Sequence, residues 1–354
     1  MENVSKYQTL LESLRSDIVD GKYAPGSKLP SEEALCRKWQ VSRPTVGRAI
    51  KDLQNAGLVW RKAGSGTFVS PQAVSSQVVL ALLVEGLGRT EILDPICAQI
   101  TLAGQARGCR IFSGGLPEGR HPRELALEWA RNGVRGVFFA PLEHAEEREK
   151  LNFTIADACR EVGLEVVLLD REVADFPRRS HWDLVGMDNF QAGYDLGLHL
   201  AGKGATQVAF VARPDFPSST DLRLAGVREG LLRAAGGKVE LHPGNPEDAT
   251  FVNQVCVRKS DAVVCSNDLT AALFLNVAAT LGHAVPRDFL LAGFDDVGYA
   301  TLLAVPLTTI RQPCADIGAA CIDAMLSRLQ TPGLPARSIQ LRGTLIERAS
   351  TSRD

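Results

Sequence analysis

The sequence predicts a two-part α/β protein: a small helical head closed by a β-hairpin over residues 1–70, then a large body of doubly wound parallel sheets over 78–354. Three observations carry this. Apolar residues in the first 55 positions recur at helical spacing. Two short β-prone runs separated by a tight, glycine-rich turn follow them. Beyond residue 78, apolar β runs alternate many times with helical patterns, the signature of parallel sheets covered by helices. At 354 residues the chain exceeds a typical single domain, so two or three compact units are expected.

In the head, Tyr7, Leu10, Leu11, Leu14 and Ile18 fall on one helical face, and Gly21 offers a left-handed stop. A second helix of about eight residues follows in "LPSEEALCRKW". Ser31 is its N-cap, and Glu32 and Glu33 complement the positive end of its dipole. Ser42 is placed to cap a third helix that tolerates Pro44 in its first turn, where amides have no intrahelical partner. Its apolar face is Val46, Ala49, Ile50 and Leu53, and Gly57 ends it. Arg43, Thr45, Arg48 and Lys51 are left facing outward, mostly in the N-terminal half, as side chains of a DNA-reading helix are. "LVWRKAGSGTFV" then predicts a hairpin of Leu58–Lys62 and Thr67–Val69, with Arg61 and Lys62 on its strand and tip. Helix, turn, helix and hairpin make a winged helix.

Charge supports a polyanion partner for this part alone. Residues 1–70 carry eleven Lys/Arg against seven Asp/Glu, whereas the remainder carries 28 against 34. A basic head on an acidic body suggests that only the head meets nucleic acid.

The stretch "LPSEEALCRKWQVSRPTVGRAIKDLQNAGLVWRKAGSGTFV" resembles the DNA-binding domain of GntR-type regulators almost without a gap, most specifically in "LPSE", "VSRPTV" and "GSGTFV". The resemblance implies that Ser42, Arg43 and Thr45 meet phosphates and bases in the major groove and that Gly64, Ser65 and Gly66 bring the wing backbone near the minor groove. The candidate DNA-contacting set is therefore Ser31, Ser42, Arg43, Thr45, Arg48, Arg61, Lys62, Gly64, Ser65 and Gly66. Within it Arg43 is singled out, because a guanidinium reads guanine O6 and N7 bidentately. Arg61 and Lys62 add salt-sensitive phosphate affinity. The chain departs from the family pattern at Gly47, where many members carry Arg, and at Glu33, where a basic or amide residue is common.

"SPQAVSSQ" reads as a linker over 71–77. The body's strands are expected at Val78–Val84, Gly136–Ala140, Glu165–Leu169, Gln207–Ala212, Ala262–Cys265 and Leu290–Phe294. Parallel sheets bind ligands beyond the carboxyl ends of their strands. Polar groups collect there: Glu85 and Arg89, Asp170 and Arg171, Asn267 and Asp268, Asp295 and Asp296. Any one of them read alone is more readily a helix cap or a solvated loop; their recurrence at one edge points to a ligand.

The segments "VGMDNFQAGYDLGLHLAGKGATQVAFV", "TDLRLAGVREGL", "VVCSNDLTAALFL" and "LAGFDDVGYATLLAVPLTTIRQP" resemble the periplasmic-binding-protein-like effector domain (class I type) of LacI/GalR regulators, over essentially 78–348. The resemblance implies two lobes joined by three chain crossings and a cleft that holds a small molecule, usually a sugar. Its contacts fall on Arg223, Asn267, Asp295 and Gln312, with Asp170, Arg171 and Arg89 beside them. The donor set suits a polyol: carboxylates accept from hydroxyls, Arg223 offers a fork of donors, and Asn267 does both. Phe294 or Phe216 is placed to cover an apolar sugar face, although an aromatic beside a cleft is more often core. A GntR-type head on such a body is the arrangement of arabinose-responsive AraR repressors of Gram-positive bacteria; it leaves the sugar itself open.

Other function classes are disfavoured. After residue 70 the only lysines are Lys150, Lys203, Lys238 and Lys259, none in a Schiff-base setting, and no GxGxxG or GxxxxGK[ST] phosphate loop is present. Asp295 and Asp296 form no obvious metal pair, since neighbours on one segment point apart. The eight cysteines are scattered singly and are expected to be reduced and mostly buried. No apolar run approaches a membrane span, and the N-terminus lacks a signal-peptide layout. The expectation is a cytoplasmic homodimer without cofactor or catalytic residues. Its partners are double-stranded operator DNA and a sugar effector, which relieves repression; a co-repressor acting in the opposite sense is the alternative.

Overall fold

The computed structural model describes residues 6–19, 22–55, 57–62, 64–70, 78–88, 91–116, 120–143, 147–214, 216–258 and 260–352. Gly21, Arg89 and the linker 71–77 lie outside the described residues. The chain divides into two compact units between Val78 and Val79.

The first unit is built on helices α1 (Lys6–Val19), α2 (Glu32–Trp39) and α3 (Arg43–Asn55), followed by strands β1 (Val59–Lys62) and β2 (Gly66–Val69). The apolar faces of all three helices meet: Leu10, Leu14, Ile18, Leu35, Val46, Ala49, Ile50 and Leu53 are essentially inaccessible. Gln40 takes a left-handed conformation at the end of α2, which sharpens the turn into α3. β1 and β2 pair antiparallel from Val59↔Val69 to Lys62↔Gly66. Trp60 and Phe68 stack across them with ring centroids 5.1 Å apart, which stiffens a hairpin too short to be stable alone.

In the second unit, β3 (Val79–Leu83), α4 (Leu93–Ala106), β4 (Arg110–Gly114), α5 (Pro122–Arg131), β5 (Val134–Phe139), α6 (Arg148–Glu161), β6 (Glu165–Leu169) and β7 (Asp183–Met187) build a first lobe. Then α7 (Asn189–Gly202), β8 (Gln207–Ala212), α8 (Ser218–Ala235), β9 (Lys238–Pro243), α9 (Ala249–Val257), β10 (Ala262–Cys265), α10 (Asp268–Thr280), β11 (Leu290–Ala292) and β12 (Thr309–Arg311) build a second. Finally α11 (Cys314–Gln330) and β13 (Ser338–Leu341) return to the first lobe, and β14 (Thr344–Ile346) pairs with β12 in the second. The first-lobe sheet has the order β13-β7-β6-β5-β3-β4 and the second-lobe sheet β11-β10-β8-β9. Every neighbouring pair in both is parallel. The chain thus crosses between lobes three times: after Met187, at Gln312–Pro313, and after Arg342.

Alternation within each strand explains the layering. In β8, Val208, Phe210 and Ala212 enter one core, while Ala209 and Val211 enter the core on the opposite face. Helices α7 and α8 lie unusually close, because each offers two glycines four residues apart. A Cβ on Gly193, Gly197, Gly226 or Gly230 would sit 2.1–2.6 Å from a backbone oxygen of the facing helix, well inside van der Waals contact.

Six strands of the body escaped the sequence reading: β4, β7, β9, β12, β13 and β14. β4 and β9 are sheet edges with half-exposed, mixed patterns. β7 is wholly buried, but its "DLVGM" opens on an acid. Asp183, fully buried, is neutralised by Arg328 at 2.6 Å and Arg337 at 2.7 Å. The strand expected to run to Phe294 stops at Ala292, where the chain turns into the cleft.

Candidate functional site

In the head, Ser31 caps α2 as expected, its Oγ accepting from the Ala34 amide at 3.2 Å. The Ser42 hydroxyl lies 2.7 Å from that of Thr45, so the two polar side chains are presented together at the start of α3. Ser31, Arg43, Arg61, Lys62, Gly64, Ser65 and Gly66 line one open groove of about 510 Å³ between α2, α3 and the hairpin tip. Gly64 at φ +72° and Gly66 at φ +117° make that tip, a backbone that side chains strain to adopt. Arg48 lies elsewhere on α3, its guanidinium 4.8 Å from the Tyr7 ring. Nothing occupies the space that a Cβ on Gly47 would enter, and Glu33 pairs along its own helix with Arg37 at 3.0 Å.

The charged groove residues Glu32 and Lys28 were not foreseen there. Glu32 accepts from Arg61 at 2.5 Å and lies 3.6 Å from Arg43, so one carboxylate orients both arginines. The sequence showed it only as a first-turn acid. Lys28 forms a bridge to Phe68, and its side chain lies 2.7 Å from where a Gly66 Cβ would be. Its only sequence signal was its charge.

In the body, the strand ends expected to hold a ligand converge on a cavity of about 140 Å³ between the lobes. It opens toward a wider mouth of about 390 Å³ that Glu85, Glu91 and Glu143 border. Arg223 projects from α8 and is buried. Its Nε donates to Asn189 at 2.8 Å, one terminal nitrogen to the Ser266 carbonyl at 2.7 Å, and the other to Asp295 at 3.1 Å. Its plane stacks 4.8 Å from the Phe294 ring. Phe294 is therefore the core floor beneath the arginine, fully buried, and Phe216 is the aromatic that lines the cavity.

Asp295, at φ +112°, receives Gln312 Nε2 at 2.8 Å as well. Burial pushes its carboxyl up, against the opposing pull of Arg223 and Gln312. Gln312 meets the cleft through Asp295, and its Oε1 is buried with no hydrogen-bond partner. From the first lobe, Arg171 bonds Asp170 at 3.1 Å and pairs with Glu143. Burial raises the Asp170 carboxyl to about 6, and its Oδ1 is the second buried acceptor without a partner. Burial, reinforced by Arg223, lowers Arg171 to about 10. Asn267 spends its Oδ1 on the Thr270 amide, 2.8 Å away, as the cap of α10, and still lines the cavity. It is both the helix cap and the cleft residue that the sequence allowed.

The remaining acids at the strand ends have structural partners. Asp296 turns from the cleft to Arg311 at 2.6 Å and Arg348 at 2.5 Å. Asp268 is fully buried and accepts from the Thr309 hydroxyl at 2.7 Å and the Val297 amide at 3.1 Å. Among the described residues no group of three or more His, Cys, Asp or Glu side chains is placed to hold a metal ion. None of their helices is long and apolar enough to cross a membrane. The eight cysteines are all unpaired, five of them buried. Arg89, expected beside the cleft, lies outside the described residues.

Comparison with known proteins assigns both units. Residues 6–69 match the family described as bacterial regulatory proteins, gntR family. Residues 198–351 match the periplasmic binding protein-like domain. Over nearly its whole length the chain is similar to the arabinose metabolism transcriptional repressor of Geobacillus stearothermophilus, 26% identical over 367 residues that cover 98% of this chain and 96% of the repressor. The crystal structure of the transcription regulator GntR from Chromobacterium violaceum superposes with a TM-score of 0.56 at 27% identity, covering 77% of this chain and 99% of that one. A periplasmic binding protein/LacI transcriptional regulator from Alkaliphilus metalliredigens QYMF, complexed with D-xylulofuranose, shares the fold at a TM-score of 0.63 and 19% identity, covering 78% of this chain and 99% of that one. Both units of the chain are thereby accounted for: it is a transcriptional regulator with a gntR-family helix-turn-helix followed by a periplasmic-binding-protein-like domain, and it is not an enzyme.

Proposed function

We propose that the protein is a cytoplasmic, homodimeric repressor whose two heads bind a pseudo-palindromic operator and whose cleft senses an uncharged sugar that releases the DNA. Two-fold protein symmetry implies two-fold operator symmetry. The observation that carries the sugar reading is the charge and hydrogen-bond balance of the cleft. Arg223 is matched by Asp295, and Arg171 by Asp170 and Glu143. The buried acceptor of the cavity wall still lacking a partner, Asp170 Oδ1, calls for a ligand that donates hydrogen bonds, because an unmet buried acceptor costs about 1–3 kcal/mol. Hydroxyls supply donors; a phosphate supplies only negative charge beside Glu85, Glu91 and Glu143 at the mouth. The repressor from Geobacillus stearothermophilus makes arabinose one sugar to try first.

A thermal-shift screen of the full chain against pentoses, hexoses, disaccharides and the corresponding sugar phosphates tests this directly. A native-state ligand at about 100 times its Kd stabilises by roughly 2.7 kcal/mol, which raises Tm by a few degrees. The expected result is a shift with one or a few neutral sugars. A shift with a phosphorylated sugar alone contradicts the charge argument, and a flat panel contradicts the sugar reading.

A further inference from the structure

The cleft is spanned by side-chain ties between the two lobes. Tyr299 lies on a short 3-10 turn, Gly298–Thr301, of the second lobe. Its ring packs against that lobe's core, and its hydroxyl reaches Glu91 of the first lobe at 2.6 Å. The geometry suits tyrosine: an apolar body anchored in one lobe and a polar tip free to bond the other. Glu91 borders the cleft mouth and precedes Ile92, a residue of the cavity wall. A second tie runs from Arg148 on α6 to the Phe216 carbonyl at 2.9 Å. Asp221 on α8 feels the same guanidinium.

The turn that carries Tyr299 is held firmly. Between Asp295, which bonds Arg223, and Tyr299 the backbone passes Asp296 at φ +54° and Val297. Buried Asp268 fixes the Val297 amide and, through its other oxygen, the Thr309 hydroxyl. The ligand-facing carboxylate and the tyrosine thus sit on one rigid segment, so the position of the hydroxyl reports the separation of the lobes.

We infer that Tyr299 and Glu91 form a latch that sets the open–closed balance of the lobes, making Tyr299 a positioning residue for effector binding that does not itself touch the effector. A bond made only when the lobes meet raises the population of the binding-competent state before any ligand arrives. Apparent effector affinity rises by the same factor. The inference builds on the effector reading of the cleft, but its test needs no effector.

The experiment is hydrogen exchange by mass spectrometry on the full chain without sugar, comparing the native protein with Tyr299→Phe, Glu91→Ala and the double variant. Phenylalanine keeps the ring in the core and removes only the hydroxyl. Amides of 142–143 and 266–270, beside the cleft, are expected to exchange roughly three- to tenfold faster in each single variant, the factor that a typical net hydrogen bond supplies. The double variant should be no faster than the singles, and α11 should be unchanged. Unaltered exchange at the cleft overturns the latch. So does acceleration spread evenly through the second-lobe core, which reports lost packing, or additive effects of the two substitutions.

Discussion

At the residue scale, the proposed operator binding gives Arg43 and Lys62 separable roles. Arg43 stands at the start of the third helix with its side chain 80% exposed and a 3.6 Å approach to Glu32, a setting that suits the proposed base-reading role. Arg43→Lys keeps the charge and loses the fork, and should cost about 1–3 kcal/mol on the preferred operator while relaxing preference at one base pair. Lys62→Ala should weaken all sequences about equally and lower the salt dependence of binding by about one counterion. Anisotropy titrations of operator and mismatched duplexes at several salt concentrations separate the two. In the cleft, Asp170 has a raised pKa of about 6, so the folded state holds a proton that the unfolded state has released. Stability from this group is greatest below the unfolded value near 4 and is lost as pH rises through about 6. Asp170→Asn removes that dependence. Urea midpoints measured from pH 4 to 7 should fall with pH less steeply in the variant, and its midpoint at pH 7 should be higher relative to the native protein than at pH 4.

At the scale of elements, what was legible is what depends on local pattern. The head's helices and wing followed from apolar spacing, Ser31, Pro44 and the turn glycines, because each of those devices acts within a few residues. The central strands of the body, such as Glu165–Leu169 and Gln207–Ala212, read clearly because burial on both faces leaves an unbroken apolar run. β4, β7 and β9 did not: edges are half-solvated, and Asp183 begins β7 only because Arg328 and Arg337, about 150 positions away, reach it. The same limit governs the site. Strand-end polar residues were findable one by one, but the roles of Asp296 and Asp268 as structural anchors, and of Phe294 as the floor beneath Arg223, depend on neighbours distant in sequence. The α7–α8 contact makes its own prediction. Gly226→Ala would place a methyl 2.1 Å from the Phe190 carbonyl, forcing the helices apart. Overpacking of this kind costs about 1–3 kcal/mol, visible as a lower denaturation midpoint, and Gly202→Ala, which meets open space, serves as the control.

At the scale of the whole molecule, the proposed function, a DNA-reading head and a sugar-sensing body on one chain, requires effector and operator binding to be coupled. Allosteric coupling of about 1–3 kcal/mol is typical and changes affinity roughly 5- to 150-fold. The sign is the central claim: the sugar that fills the cleft disfavours the DNA-bound state. The measurement is a titration of an operator duplex, selected by the full chain from a random pool, with and without a saturating concentration of the sugar identified by thermal shift. The account predicts that the sugar weakens operator binding by a factor within that range. Operator affinity that is unchanged, or raised, by a sugar that demonstrably occupies the cleft would contradict it.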